Sequence, residues 1–158
     1  MKYFTFLLAL CLVQCATPNH KMTTEPIKIH AFRLKPNEDL KKQIDQYVKQ
    51  NNIEAGWIMT CVGSLTQYNL RFANQPTGAK GNGHFEIASL VGTLSVNGSH
   101  LHLSVSDSLG HTIGGHLMNE NLIYTTAEIV IGESKNHVFV REKDGSTPWE
   151  ELQVREKK

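Results

Sequence analysis

The stretch His100-Leu101-His102-Leu103-Ser104-Val105-Ser106-Asp107 alternates between polar and apolar residues along its whole length. This alternation predicts a β-strand with one buried face, because successive side chains of a strand point to opposite sides of the sheet. The leucines and the valine then form the core face, and the histidines and serines share the other face. Two histidines on one polar face make this stretch the first candidate for a functional site.

Turn signals on either side of this strand predict its two neighbours. Asn97-Gly98 is a strong signal for a tight hairpin. Residues 84–96 are therefore predicted to form the preceding strand, with Thr93 opposite His102 and its hydroxyl available to a histidine. After the strand, Ser108-Leu109-Gly110 predicts a three-residue loop whose glycine takes the left-handed conformation.

The length of that second loop decides where a third histidine lies. A three-residue loop pairs Asp107 with His111, and counting from this pair places His116 opposite His102 on the same face. A two-residue turn would place His116 on the other face. Opposed Cβ atoms lie about 5 Å apart in an antiparallel pair, so the first register would let the imidazoles of His100, His102 and His116 reach one ion.

Three histidines around one point are the ligand set of a zinc site that keeps a fourth position open for chemistry. Gly114-Gly115, just before His116, would allow the close backbone approach that such a site needs. The alternative is that His100 and His102 are surface residues of a polar sheet face and that His116 is unrelated to them. His111 is a further histidine in the turn, where a solvated position is expected.

Two charged residues, Glu86 and Arg71, interrupt apolar strand patterns. A charge in such a position is costly unless it is paired or functional. Simple alternation places Glu86 on the opposite face from Thr93, and a bulge near Ser89 or Gly92 would be needed to bring it round. An ordinary ion pair at a sheet edge or subunit interface explains either residue as well as a catalytic role does.

The remaining patterns predict an α+β domain, compact and mixed but mainly antiparallel, with one main helix at about residues 38–51. Further strands are predicted at residues 27–34, 56–63, 68–73, 122–131 and 137–142, with an exposed loop at 74–83, and residues 151–154 are expected to close the sheet. Long strands that share one helix leave sheet surface uncovered, so oligomerisation is expected.

Composition limits the function classes. The 16 basic and 15 acidic residues give a net charge of +1, which argues against a nucleic-acid partner. Cys61 is the only cysteine placed within the predicted domain, and its apolar neighbours predict a buried thiol instead of a nucleophile. No Ser-His-Asp arrangement or phosphate-binding loop is recognisable, so an enzyme with this sequence would have to be metal-based.

The N-terminal residues have the features of an export signal. Residues 1–15 hold an apolar run too short to span a bilayer but of the length of a signal peptide, and residues 16–26 are expected to form a flexible tether. Cys15 also resembles a bacterial lipoprotein cysteine, which would anchor the protein to a membrane through lipid. A secreted, periplasmic or lipid-anchored protein is therefore expected. Translation from Met22 would instead leave it in the cytoplasm, and N-terminal sequencing distinguishes the two.

Five motifs taken together resemble the PPC domain family (plants and prokaryotes conserved). They are Arg33-Leu34-x-Pro36-x-Glu38-Asp39-Leu40, Gly83-x-Phe85-Glu86-Ile87-x-Ser89-Leu90-x-Gly92-x-Leu94, His100-Leu101-His102-x-Ser104-x-Ser106-Asp107, Gly114-Gly115-His116-Leu117 and Thr125-x-Ala127-Glu128. The resemblance covers about residues 27–141. It places the domain at residues 27–142, followed by a C-terminal strand and charged tail at 143–158.

The resemblance implies a compact domain that assembles as a homotrimer. Structural relatives of the family include acetolactate decarboxylase and a zinc-dependent ester hydrolase, which hold zinc through three histidines. By the motifs, the zinc ligands would be His100, His102 and His116, with Glu86 and Arg71 as acid/base and anion-binding partners.

Two functions follow from this resemblance. One is a small-molecule hydrolase or lyase that uses zinc to activate water or polarise a carbonyl, and the alternative is a non-enzymatic trimeric binding or scaffold module. Plant members of the family bind DNA through AT-hooks. No Arg-Gly-Arg-Pro hook occurs in these 158 residues, which undercuts a DNA-associated role.

Overall fold

The computed structural model describes residues 25–158. The predicted signal peptide, Cys15, Met22 and most of the predicted tether lie outside the described residues. The elements are β1 (Ile27–Leu34), α1 (Leu40–Gln50), β2 (Ala55–Arg71), β3 (Ala79–Ser95), β4 (Gly98–Ser106), β5 (Thr112–Leu117), β6 (Leu122–Ser134), β7 (His137–Glu142) and β8 (Glu151–Glu156). The predicted fold class, mainly antiparallel with one main helix, is confirmed.

The helix begins where an acidic cap satisfies its first backbone amides. The Asp39 side chain accepts hydrogen bonds from the backbone N–H groups of Lys41 and Lys42 at 3.1 and 3.3 Å, an interaction worth about 1 kcal/mol at a helix N-terminus. The same carboxylate accepts a bond from the Glu120 N–H at 2.6 Å. The cap therefore also ties the helix to the loop before β6.

Six strands form one antiparallel sheet in the order β1-β6-β2-β3-β4-β5. The end of β2 also pairs with β5, through Leu70 opposite Leu117 and Arg71 opposite His116. The sheet therefore curls back on itself through β2, β3, β4 and β5. The apolar face of β4 lies in the core, where Leu101, Leu103 and Val105 are almost completely buried, as their alternation predicts.

Three predicted strand boundaries or sheet assignments are wrong. The two strands predicted at 56–63 and 68–73 are one strand, β2, because register shifts relative to its neighbours let it bend without ending. Half of the predicted loop at 74–83 is strand, since β3 begins at Ala79. The C-terminal strand does not close the sheet: β8 pairs with β7 in a separate two-stranded sheet.

The first hairpin forms, but two residues away from the predicted register. Ser95 pairs with Gly98 and Thr93 with His100, so Val96 and Asn97 make the turn. In this register the Val96 N–H donates to the carbonyl of Phe139 in β7 at 3.1 Å, a tertiary contact that stabilises the turn and that no local pattern signals. A shift of two keeps every side chain on its predicted face, so the histidine face is preserved while Thr93 lies opposite a different histidine.

Cys61 is buried, as predicted, with 8% of its surface exposed. Burial raises the pKa of its thiol to about 12, so the nucleophilic thiolate does not form at neutral pH. In the described part of the chain, no helix is both long enough and apolar enough to cross a membrane.

Candidate metal centre

The second hairpin places the third histidine as its loop length predicts. The Asp107 N–H donates to the carbonyl of His111 at 3.0 Å, and Gly110 has a φ of 82°, the left-handed conformation required in a three-residue loop. His102 consequently pairs with His116 across β4 and β5. The register that brings three histidines to one face is confirmed.

The three imidazoles converge. One nitrogen from each of His100, His102 and His116 lies within 4.8 Å of the others. The ring centroids are 5.0, 5.2 and 5.7 Å apart. The Nε2 atoms of His100 and His102 are separated by 3.2 Å.

These distances and one buried nitrogen fit a bound cation. Two nitrogens at tetrahedral positions about 2.05 Å from one zinc ion would lie about 3.3 Å apart, close to the observed separation of His100 and His102. The Nδ1 atom of His116 is buried and has no hydrogen-bond partner. Such a group costs about 1–3 kcal/mol if it stays unsatisfied, and a metal ion would satisfy it.

Two of the three histidines, His100 and His116, are held in the neutral form that binds metal. Burial, followed by the charges of His100, Arg71, His102 and Lys41, lowers the pKa of His116 to about 4. Burial, followed by the charges of Arg141 and His102, also lowers the pKa of His100. A metal competes with protons for these nitrogens, so a low pKa leaves them available at neutral pH.

The glycine pair before His116 has a packing reason. A Cβ atom on Gly115 would lie 2.8 Å from the backbone oxygen of Arg71, and one on Gly114 would lie 2.7 Å from Ser104 Oγ. Both contacts are shorter than atoms in van der Waals contact allow. Glycine at these positions therefore lets β5 approach both β2 and β4, which carries His116 to the other two histidines.

Arg71 lies beside the cluster and Glu86 does not. Arg71 pairs with His116 and lines clefts on both sides of the histidines. A bulge between Ile87 and Ser89 does bring Glu86 to the histidine face, where it pairs with Ser106. Ser106 is four residues from His102, about 13 Å along the strand, and Glu86 lines neither cleft.

Arg141 is a site residue that sequence reasoning missed. Its Nη2 atom lies 3.4 Å from Nδ1 of His100, longer than the roughly 2.8 Å of a strong charge-assisted hydrogen bond. The Asn97 side chain holds the Arg141 backbone, accepting from its N–H at 2.8 Å and donating to its carbonyl at 2.7 Å. Asn97, in the first turn, thus fixes β7 at the site, a contact that no local pattern signals.

A family model described as the Plants and Prokaryotes Conserved (PCC) domain, the family that the motifs resemble, matches residues 22–135. The chain belongs to the PPC family. Its match ends before β7 and β8, so Arg141 lies beyond the matched residues. The matched PPC region therefore contains the three histidines and Arg71. The C-terminal hairpin, which contributes Arg141, lies next to them outside that region.

Solved structures share the PPC fold. A hypothetical protein from Salmonella cholerae-suis is 39% identical, with a TM-score of 0.82 over 85% of this chain and 97% of that one. A plant- and prokaryote-conserved protein from Pyrococcus horikoshii is 27% identical, with a TM-score of 0.63 over 84% and 99%. A metal-containing protein from Archaeoglobus fulgidus is 22% identical, with a TM-score of 0.68 over 84% and 99%.

Two curated relatives are each named bifunctional protein GlmU, from two Synechococcus strains. They are 40% identical over 133 residues and 42% identical over 128 residues, covering 84% and 81% of this chain. The match covers only 21% and 20% of those proteins. This chain therefore spans about a fifth of the length of the curated relatives it matches, and the likeness concerns that part alone.

Proposed function

We propose that His100, His102 and His116 hold one zinc ion and that this PPC domain is a small-molecule hydrolase or lyase. The observation that carries the proposal is the convergence of three imidazole nitrogens within 4.8 Å. The buried and unpartnered Nδ1 of His116 supports it, because a ligand nitrogen must be free of other hydrogen bonds. The same fold occurs in the metal-containing protein from Archaeoglobus fulgidus.

Zinc held by three histidines supplies an open position that acidifies a water molecule or polarises a carbonyl. The chain's own residues supply the rest of the site. A cleft of about 420 Å³ opens beside His102 and His116, lined by Arg71 and by the apolar side chains of Phe72 and Val91. This volume suits a small molecule. Arg71 lines this cleft and also the cleft on the other side of the histidines, so its guanidinium would orient a negatively charged substrate that enters from either side.

A serine-based mechanism does not fit the one Ser-His-Glu group of the described residues. Ser134 Oγ lies 2.8 Å from Nδ1 of His137, and Glu25 Oε1 lies 3.2 Å from the same nitrogen. In a serine hydrolase triad the serine and the acid contact different ring nitrogens, so that the imidazole can pass a proton. This cluster therefore ties Glu25 to the start of β7.

The proposal is tested by metal content and turnover. The purified protein is expected to contain about one zinc ion per chain, measured by mass spectrometry of the metals. Esters and 2-hydroxy-2-acyl acids are the first substrates to screen, and their turnover should stop with a chelator and return with zinc. Less than about one zinc per three chains would contradict the site. Zinc binding without turnover of any substrate would favour the binding-module alternative.

We also propose that the domain assembles as a homotrimer, as the family resemblance implies. Ile27, Ile29 and Val62 expose 51%, 53% and 56% of their surface, and the two isoleucines lie on β1, the free edge of the sheet. Apolar side chains at an unpaired edge are typical of a surface that another chain covers.

Light scattering on a sizing column tests this assembly. The parent is expected to elute at three times the mass of one chain, and Ile29→Lys should shift it to the monomer, because a lysine cannot be buried unpaired at the interface. Leu109→Lys is the matched control, since Leu109 is 79% exposed in the loop before β5. A monomeric parent, or equal effects of the two variants, would contradict the proposal.

A further inference from the structure

A second cleft lies on the other side of the histidines, and the C-terminal hairpin forms one of its walls. Its volume is about 620 Å³. Its lining includes His100, His116 and Arg71, together with Arg141 and Trp149 from the hairpin. A molecule in this cleft would therefore contact both the candidate metal ligands and residues beyond the matched PPC region.

The connection between β7 and β8 is folded by its own hydrogen bonds. Asp144 accepts bonds from the Ser146 N–H at 2.9 Å and from its hydroxyl at 2.6 Å. Thr147 Oγ1 donates to Glu151 at 2.7 Å and accepts from the Trp149 N–H at 3.2 Å. These bonds fix the backbone of the connection up to Trp149, so little backbone ordering entropy has to be lost on binding.

The charges in this cleft favour an anion. Arg71 is half-buried and makes no hydrogen bond or ion pair with any described residue, and the same holds for the Lys143 amine. Arg141 donates to the carbonyl of Glu150 at 2.7 Å and lies 3.8 Å from Glu151. The three cations thus face two carboxylates, which leaves a net positive charge and a guanidinium free for a ligand.

Trp149 adds an apolar surface to this positive cleft. Its side chain is 68% exposed although tryptophan usually loses most of its surface to packing. It stands at the cleft next to Pro148. An exposed indole at the mouth of a binding site offers a flat face on which a planar group stacks.

We propose that this cleft binds a small organic anion with a flat apolar body, and that Arg71 and Trp149 thereby determine which substrates reach the histidines. Arg71 pairs with the anionic group, and Trp149 stacks on the body. The proposal rests on the proposed function of the histidine cluster, because it names the class of substrate for that site. It adds a specificity role for a hairpin outside the matched PPC region.

Calorimetric titration with three probes tests the proposal on zinc-loaded and on chelator-treated protein. Benzoate carries both features, acetate lacks the flat body and benzamide lacks the charge. Benzoate is expected to bind about tenfold tighter than either of the others, the order expected for losing a charge-assisted hydrogen bond or an aromatic contact. The preference should persist without zinc, since Arg71 and Trp149 are not metal ligands.

Two variants and a control identify the residues. Trp149→Ala should reduce benzoate binding to the level of acetate, and its exposure means that the fold is retained. Arg71→Gln should weaken benzoate by about tenfold while leaving benzamide unchanged. Arg155→Gln is the control, because Arg155 lies on the same hairpin but pairs with Glu142. Equal binding of benzoate and benzamide, or an unchanged Trp149→Ala variant, would overturn the proposal.

The measured zinc content and the measured preference for benzoate together show whether the anion cleft or the zinc site is wrong. If the protein holds zinc but shows no preference for benzoate, the substrate class is wrong and the metal site stands. If the protein lacks zinc but retains the preference, the metal site is wrong and the anion cleft stands.

Discussion

A double variant carrying His100→Ala and His102→Ala is expected to lose its zinc and its zinc-dependent turnover. Replacing only the hydrogen-bond partners of metal ligands lowers metal affinity by about 10- to 100-fold. Removing two of three ligands should therefore cost more than about 100-fold, leaving His116 alone with an ion it cannot retain. Metal content after dialysis and a competition titration with a zinc-binding dye measure the loss.

The variant should still fold. His102 is exposed and His100 is half-buried, and neither belongs to the apolar core. The metal-free parent and the double variant are thus expected to unfold at similar temperatures. Added zinc should stabilise the parent alone, because a ligand that binds only the native state raises its unfolding free energy.

His84→Ala combined with His111→Ala is the matched control. Both residues are exposed histidines outside the cluster: His84 stacks on Tyr124 with 4.3 Å between ring centroids, and His111 lies 3.3 Å from the Asp107 carboxylate. This control should bind zinc like the parent. The ligand assignment would be refuted if the two double variants held equal amounts of zinc.

The histidine face could be predicted because its determinants are local. Alternation along β4 assigns His100 and His102 to one face, and the position of Gly110 fixes the loop that brings His116 to them. The shift of the first hairpin did not disturb this result, because a shift of two residues returns every side chain to the same face. The helix was likewise predictable from its Asp39 cap and its apolar spacing.

The rest of the site depends on contacts between distant segments. Arg141 lies beside His100 because the Asn97 side chain hydrogen-bonds to the backbone of Arg141. Trp149 lies at the cleft because hydrogen bonds within the β7–β8 connection fix the backbone there. The bulge that turns Glu86 to the histidine face lies between Ile87 and Ser89, beside one of the two positions that the alternation requires for it, but no proline or glycine there signals that it forms. Local patterns hold no information about such pairings.

Replacing Gly92 with alanine is expected to have the second large effect, on stability and on metal binding. Gly92 lies on β3, with the backbone of β4 packed directly against it next to the histidine cluster. A Cβ atom there would lie 2.0 Å from the carbonyl oxygen of His100 and 2.9 Å from Cα of Leu101. Both atoms belong to the backbone of β4, so no flexible side chain can move aside. Its φ of 144° also disfavours any residue other than glycine.

Gly98→Ala separates the steric clash from the backbone conformation. Gly98 has a φ of 150°, and an added Cβ atom would have nothing within 4 Å. Its replacement should cost only the conformational strain, about 1–3 kcal/mol. Gly92→Ala has the same strain and must in addition push β4 away from β3, which adds about 1–3 kcal/mol by analogy with overpacked cores.

The two alanine variants should therefore differ both in stability and in metal binding. Urea denaturation is expected to show a free energy of unfolding lower in Gly92→Ala than in Gly98→Ala by about 1–3 kcal/mol, against the 5–15 kcal/mol typical of a whole domain. Because the clash displaces the backbone of His100 itself, zinc affinity should fall in Gly92→Ala and stay at the parent value in Gly98→Ala. If Gly92→Ala and Gly98→Ala had equal free energies of unfolding, β4 could shift away from β3 at no cost. The close pairing of β3 with β4 would then be ruled out as the contact that positions His100.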